Sequence, residues 1–513
     1  MIYTRSFPGT DQLNQFGSSV NFLNGFGFVT KYFDGENLFV RPVNNWPIFY
    51  SLFSSLLLFF TKNTVFTFMI STLFSKVFLS VVVYKLYKSI FTDNYNFAFN
   101  IFITVIALSL APIGYGSDID IITASSFLLS LLFLHKYYFV TRSVKSLFFF
   151  FLIITAICHM RYAYLPKVAL YLLFVFIYDL HVKNFKNQLF LKILLSSIVI
   201  LNIITIYYGE YFQKTTEDIL LYDSANLERE SFWHLLYAPL ANSFFPDFIV
   251  FNFLHKVLGD LVNNHYIIFV LIMMGLSVSI FYLLLKAIIT SVKFKKISAS
   301  NFILVFLFLF IFINLIVLFL VYGPSEVYPK KQINNTYQLS YDGLAIVNRY
   351  LILLHLSVFT LALHYAINKN VFYFKTLVTL AVFFGFLHFI YLNSIYSHDR
   401  KKNLFLLSKP EGVLIDCNAI NNIFTESYEK NVLFCPLYTI DSMISRQVSP
   451  IEIAKSNGLV IFTKLANLHI FESSLTDFES VYYCHYSGNA SFYKKNKHDI
   501  VYKGNIYTLY KKK

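Results

Sequence analysis

Residues 114–166 read GYGSDIDIITASSFLLSLLFLHKYYFVTRSVKSLFFFFLIITAICHMRYAYLP. Two apolar runs, 119–140 and 146–164, are separated by a link carrying Lys136, Arg142 and Lys145. Asp118 and Asp120 stand at the start of the first run, and Arg161 near the end of the second. About 20 apolar residues cross the roughly 30 Å hydrocarbon core of a bilayer. The stretch therefore predicts a helical hairpin through a membrane, with acids and one arginine at one end and basic residues at the other.

The rest of the chain repeats the pattern. Its 513 residues are 57% hydrophobic and only 14% charged, with mean hydropathy +0.58. Soluble domains carry about 25% charged residues, so most of this chain is built for lipid. Ten spans are predicted, near 65–84, 97–112, 119–140, 146–164, 166–180, 189–208, 265–289, 302–322, 344–367 and 371–393. A net charge of +14 would suggest nucleic acid in a soluble protein. Here the lysines sit in short loops between apolar runs, so they are topology signals rather than a nucleic-acid face.

Alternate loops separate by charge. One set holds Lys85 and Lys88, then Lys183, Lys186 and Lys192, then Lys286, Lys293, Lys295 and Lys296, then Lys369 and Lys375. The other holds Asp118, Asp120, Glu210, Glu217, Asp218, Asp223, Glu228, Glu230, Glu326 and Asp342. Positive loops stay in the cytoplasm. The predicted organisation is thus an outer loop at 1–64, a transmembrane domain at 65–396 with a large outer loop at 209–264, and an exported domain at 397–513. The run Trp46–Phe60 is short for a span and reads as an interfacial or re-entrant helix in the first outer loop. With 1–64 outside, charge parity asks for an eleventh helix upstream of Met1.

The outer side carries the candidate chemistry. Asp11, with Gln12 beside it, stands in the first loop; Arg41 precedes Pro42 and Val43; Arg349 enters the ninth span. Each arginine alone could snorkel to headgroups. Three on one face, with Asp11, Asp118 and Asp120, point to a lipid-linked phosphate, because guanidinium binds phosphate bidentately and stays charged at depth. Asp118 and Asp120 could converge on a divalent metal cation if they lay in a turn. The 209–264 loop, containing Glu228, Glu230 and His234, is expected to form a helical lid. After residue 397, apolar bursts at 412–417, 431–437, 458–463, 480–485 and 500–510 predict strands, and Ser449-Pro450 predicts a helix start. This is the pattern of a small α/β domain. Cys417, Cys435 and Cys484 fall in it, enough for one disulfide with one thiol left over, though burial in strands is the commoner fate of such cysteines. Cys484-His485 alone makes no metal site, and no Walker, Rossmann or G-x-S-x-G motif is present.

In layout and motifs the chain resembles the GT-C class of integral-membrane glycosyltransferases, the superfamily of protein O-mannosyltransferases and aminoarabinose transferases. Asp11 takes the place of the acid in their first outer loop, with Gln12 where many members have a second. Arg41-Pro42-Val43 resembles their Lys-Pro-Pro element, and the run from Trp46 their juxtamembrane helix. GYGSDIDIITASSFLLSLL is similar to their second acidic segment, HMRYAYLPKVALYLL to the next helix pair, and NRYLILL to a late R-Y-L element. The resemblance implies an α-helical polytopic membrane protein with a small C-terminal α/β extracytoplasmic domain. It implies transfer of a sugar from a polyprenyl-phosphate donor to an acceptor glycan, lipid or protein at the outer face of a bacterial cell membrane. Asp11 would be the base, and Arg41, Arg161 and Arg349 would hold the phosphate. Asp118 and Asp120 would orient the sugar or bind a metal. A polysaccharide polymerase or ligase would need paired arginines in the large loop, which offers only Arg229. A transporter of lipid-linked glycan would be expected to show internal repeats and broken helices.

Overall fold

The structure of the chain is a computed structural model. It describes residues 15, 18–19, 22–23, 28–34, 37–42, 47–62, 64–91, 97–108, 110, 118–161, 164–181, 189–206, 240–245, 250, 266–291, 298–317, 330–333, 336–339, 351–395, 416, 419, 423, 431–436, 459–463, 480–486, 499–504 and 507–511. Each of the ten apolar runs contains a helix among its described residues. The elements begin with the hairpin β1 (Val29–Asp34) and β2 (Asn37–Pro42) and the helix α1 (Phe49–Thr61). The predicted spans follow as α2 (Thr64–Ile90), α3 (Phe97–Leu108), α4 (Asp118–His135), α5 (Val144–Cys158), α6 (Leu165–His181) and α7 (Leu189–Ile206). Then come α8 (Tyr266–Ser291), α9 (Ala299–Val317), the hairpin β3 (Lys330–Ile333) and β4 (Thr336–Leu339), α10 (Ile352–Asn368) and α11 (Phe372–Ile395). Among the described residues four helical stretches are long and apolar enough to cross a membrane: Phe66–Ile90, Asp118–Thr141, Leu271–Ile289 and Ala299–Val317. The chain is an α-helical polytopic membrane protein with a small strand-rich C-terminal region.

Two compact units divide it, one formed by 1–74 with 395–513 and the other by 75–394. The second is the helix bundle. At its centre lie α4 and α10, which pack on each other; α4 also packs on α5 and α9, and α10 on α9, α8 and α3. Nearly every residue of both is buried. Helices enclosed on all sides should be apolar all round, yet α4 carries Thr123, Ser125, Ser126 and Ser130. Their hydroxyls bond back to carbonyls of their own helix, at Ile119, Ile121, Ile122 and Phe127. Polar side chains satisfied this way cost little in an apolar interior. Helix α4 ends in a π-helical turn, Lys136–Thr141, closed by Arg142 at φ 48°. Ser143 then caps α5 by accepting from the Ser146 amide at 3.3 Å. A left-handed residue followed by a capping serine reverses the chain within a few residues, which makes the basic link of the sequence a tight hairpin end.

In the first unit α1 has 13 residues, about 20 Å of helix and too short to span. Its polarity is inverted for a water-soluble helix. Ser51, Ser54 and Ser55 are buried, while Leu52, Leu56, Phe59 and Phe60 are exposed. The serine face meets a helical segment containing Gln15, Ser18 and Ser19. Ser19 Oγ donates to the Ser51 carbonyl at 2.8 Å, and Ser51 Oγ to the Gln15 carbonyl at 3.1 Å. Small hydroxyl residues let two helix backbones approach closely, as they do inside membranes.

The C-terminal strands form a five-stranded sheet in the order β6-β5-β7-β9-β8. They are β5 (Asn431–Pro436), β6 (Leu459–Thr463), β7 (Ser480–Tyr486), β8 (Asp499–Lys503) and β9 (Tyr507–Lys511). Strand β5 runs parallel to β6 and β7, while β9 is antiparallel to β7 and β8. Two expectations change. Of the burst at 412–417 only Asp416 is described, and it is helical, as are Ala419 and Ile423; a short apolar run does not distinguish helix from strand by period. The burst at 500–510 is two strands, because Gly504 breaks it. The Asp416 carboxylate lies where a Cβ on residue 504 would be, so a larger residue there would have to displace it. The helix expected from Ser449 lies outside the described residues.

Candidate active site

The N-terminal end of α4 gathers charge inside the bundle. Asp118 and Asp120 occupy its first turn, where the helix dipole favours acids, and both are buried. Ser75 Oγ of α2 donates to Asp118 Oδ1 at 3.3 Å. Arg161, just past the end of α5, brings Nη2 to 2.9 Å from Asp120 Oδ1, with side-chain exposures of 6% and 0%. The turn that delivers it is held by Met160 N to the Ile157 carbonyl and Tyr164 N to the Arg161 carbonyl.

A second cation, Lys167 in the first turn of α6, is equally buried. Its Nζ donates to Asn314 Oδ1 of α9 at 2.7 Å and lies 4.1 Å from the centre of the Tyr164 ring. Asn314 Nδ2 donates in turn to the Phe310 carbonyl at 2.7 Å, which aims its oxygen at the lysine. Buried charges at membrane depth are expensive and mark functional positions, and four of them are concentrated here.

A third feature enters from the 209–264 loop. Of that loop, 240–245 and 250 are described, and Leu240–Phe244 are buried rather than laid over a surface. The 3-10 turn Ala241–Ser243 packs against α8 and α10. The Ala241 amide donates to Ser277 Oγ at 3.1 Å, and Ser243 Oγ lies 2.9 Å from Nδ1 of the buried His355 near the start of α10. The lid expected of the loop concerns residues outside those described.

Of the residues singled out in the sequence, Asp118, Asp120 and Arg161 are brought together. Arg41 stands on β2 opposite Thr30, in the other compact unit. Asp11, Gln12, Arg349, Glu228, Glu230 and His234 lie outside the described residues. Asp118 and Asp120 make contact with different neighbours. Two positions apart on a helix they point to different sides, one toward Ser75 and the other toward Arg161. Among the described residues no three His, Cys, Asp or Glu side chains cluster as metal ligands. Sequence reasoning missed Lys167, Asn314, Ser243 and His355. The signal for Lys167 was present: a lysine inside a predicted span, not in a loop.

The site belongs to a polytopic helical membrane protein with buried ion pairs at one end of its bundle. No family model matches the sequence, and no curated protein matches it. Two solved structures are similar in fold. ArnT from Cupriavidus metallidurans bound to undecaprenyl phosphate shares 10% identity, over 99% of this chain and 95% of that one, with a TM-score of 0.42. ArnT from the same organism in the apo state shares 9%, over 98% and 93%, with a TM-score of 0.43.

Proposed function

We propose that the chain is a GT-C-type glycosyltransferase that moves a sugar from a polyprenyl-phosphate donor to an acceptor at the outer face of the membrane. One observation carries the reading: the buried Asp120–Arg161 ion pair, with Asp118 and Lys167 beside it, at the end of the bundle where the charge pattern puts the outside. A structural bundle has no need to bury two acids and two cations at one end.

In the proposed reaction an acceptor hydroxyl or amine attacks the anomeric carbon. The carbon–oxygen bond to phosphate breaks, and the polyprenyl phosphate leaves with the electron pair. Asp11 takes the acceptor proton as base, and direct displacement inverts the anomeric centre. Arg41, Arg161 and Arg349 stabilise the leaving phosphate electrostatically. Asp120 fixes the orientation of Arg161 and keeps it charged in an apolar setting. Asp118, held by Ser75, orients the sugar.

The test is transfer in vitro from polyprenyl-phosphate sugars by the purified chain in lipid, comparing wild type with Asp11→Asn and Asp120→Asn. Loss of transfer per folded molecule is expected in both. Full activity of Asp11→Asn removes that residue from the chemistry, and no transfer by wild type from any carrier favours a transporter of lipid-linked glycan.

A further inference from the structure

The end of the C-terminal sheet is unlike its interior. Strand β8 is the edge strand, and four of its five residues, Asp499, Ile500, Val501 and Lys503, are exposed. Ile500 is 50% and Val501 42% exposed. Adjacent residues of a regular strand point to opposite faces; here the register shifts between Ile500 and Tyr502, leaving Val501 unpaired with β9. This bulge turns both aliphatic side chains outward. Tyr502 is anchored inward by its hydroxyl, which donates to Asp416 Oδ1 at 2.8 Å. Charge accompanies the apolar pair. From Lys494 to Lys513 the chain has seven lysines and one acid, Asp499.

We infer that this edge docks on an anionic lipid bilayer, the surface of the membrane in which the chain's own helices are embedded. Two exposed aliphatic residues beside a lysine-rich segment are the two signals that together hold a peripheral surface on acidic lipid, where neither suffices alone. Attachment to α11 through the chain keeps the domain at high effective concentration near the membrane, so even weak docking is populated. A second β-strand is a poor occupant, because the bulge and lysines break the ladder that edge-to-edge pairing needs. Lysines alone would protect an edge from aggregation; they give no reason to expose Ile500 and Val501 next to them. The inference does not depend on the transfer reaction proposed above.

Hydrogen exchange of the full-length chain in nanodiscs tests it. One set contains phosphatidylcholine alone, the other phosphatidylcholine with phosphatidylglycerol. Amides of 499–503 are expected to exchange roughly tenfold more slowly on the acidic nanodiscs, while those of β7 stay unchanged. The double variant Ile500→Ser, Val501→Ser and the single variant Lys503→Glu, all at exposed positions, should each lose most of that difference. Equal exchange on both lipids overturns the proposal. So does protection by soluble polyphosphate on phosphatidylcholine nanodiscs that matches the acidic bilayer, which would assign the surface to a polyanionic polymer.

Discussion

The two ends of the helix bundle each bury an ion pair, and the pairs are built differently. At the lysine-bearing end Lys192 Nζ lies 2.8 and 2.9 Å from the two oxygens of Asp179, and the Tyr138 hydroxyl donates to the same carboxylate. Lys192 is also within 5.2 Å of the Tyr137 and Tyr138 ring centres. Asp179 and Lys192 are only 13 positions apart, on the facing ends of α6 and α7. At the other end Asp120 and Arg161 stand at the two arms of one long hairpin, and Lys167 of the next helix reaches Asn314 across 147 positions. A local pair with both carboxylate oxygens gripped by one lysine is a staple for a helix turn. A cluster assembled from four helices and a loop, with a second acid two residues away, is an arrangement a staple does not need. The same chemistry thus serves the fold at one end and, on the proposed reading, the reaction at the other.

The largest effect should come from breaking the staple. Asp179→Asn leaves a buried ammonium without its charge partner, at a cost of about 3–5 kcal/mol. Thermal unfolding in detergent should show a lower Tm, while the transfer rate per folded molecule stays within twofold. A rate that falls with stability would erase the contrast between the ends. Asp120→Asn also strips a buried cation of its partner and should lower Tm, but in addition it should lower transfer per folded molecule, measured at equal folded amounts by size exclusion, by about 10²–10³-fold. Asn314→Leu removes the acceptor of Lys167 and should cost about 1–3 kcal/mol, with a drop in transfer smaller than that of Asp120→Asn. If Asn314→Leu changes stability alone, Lys167 belongs with the structural charges. Tyr138→Phe deletes one hydroxyl donor to Asp179 and should cost about 1 kcal/mol, visible in Tm and absent from the rate.

Much of this was legible in the sequence, for physical reasons that also set the limit. Spans announce themselves because lipid demands continuous apolar length, so α2 to α11 fall on the predicted runs. The serines of α4 did not mislead, since they satisfy themselves within the helix. Asp118, Asp120 and Arg161 stood out as charges at the edges of apolar runs. Their pairing did not, because which acid faces Arg161 depends on helical phase and on how α4 meets the α5–α6 turn. The metal reading turns on the same point: a D-x-D looks convergent in sequence, while on α4 Asp118 meets Ser75 and Asp120 meets Arg161. Lys167 was hidden by the rule that assigns lysines to loops, and Asn314 and His355 carry no charge to betray them. Ser243 was invisible because a buried polar turn looks like any loop until its neighbours α8 and α10 are in place.

The Asp120–Arg161 pair also has a consequence for how the chain enters the membrane. An acid or arginine alone costs about 2.5–3.5 kcal/mol to insert at the centre of a span, and less toward its ends, where Asp120 and Arg161 stand. Asp120 begins α4 and Arg161 follows α5, so each is left uncompensated until the intervening π-helical turn has closed and both helices lie side by side. The hairpin therefore gains by passing from the translocation machinery into lipid as one unit. Biogenesis and the site are coupled through the same two side chains.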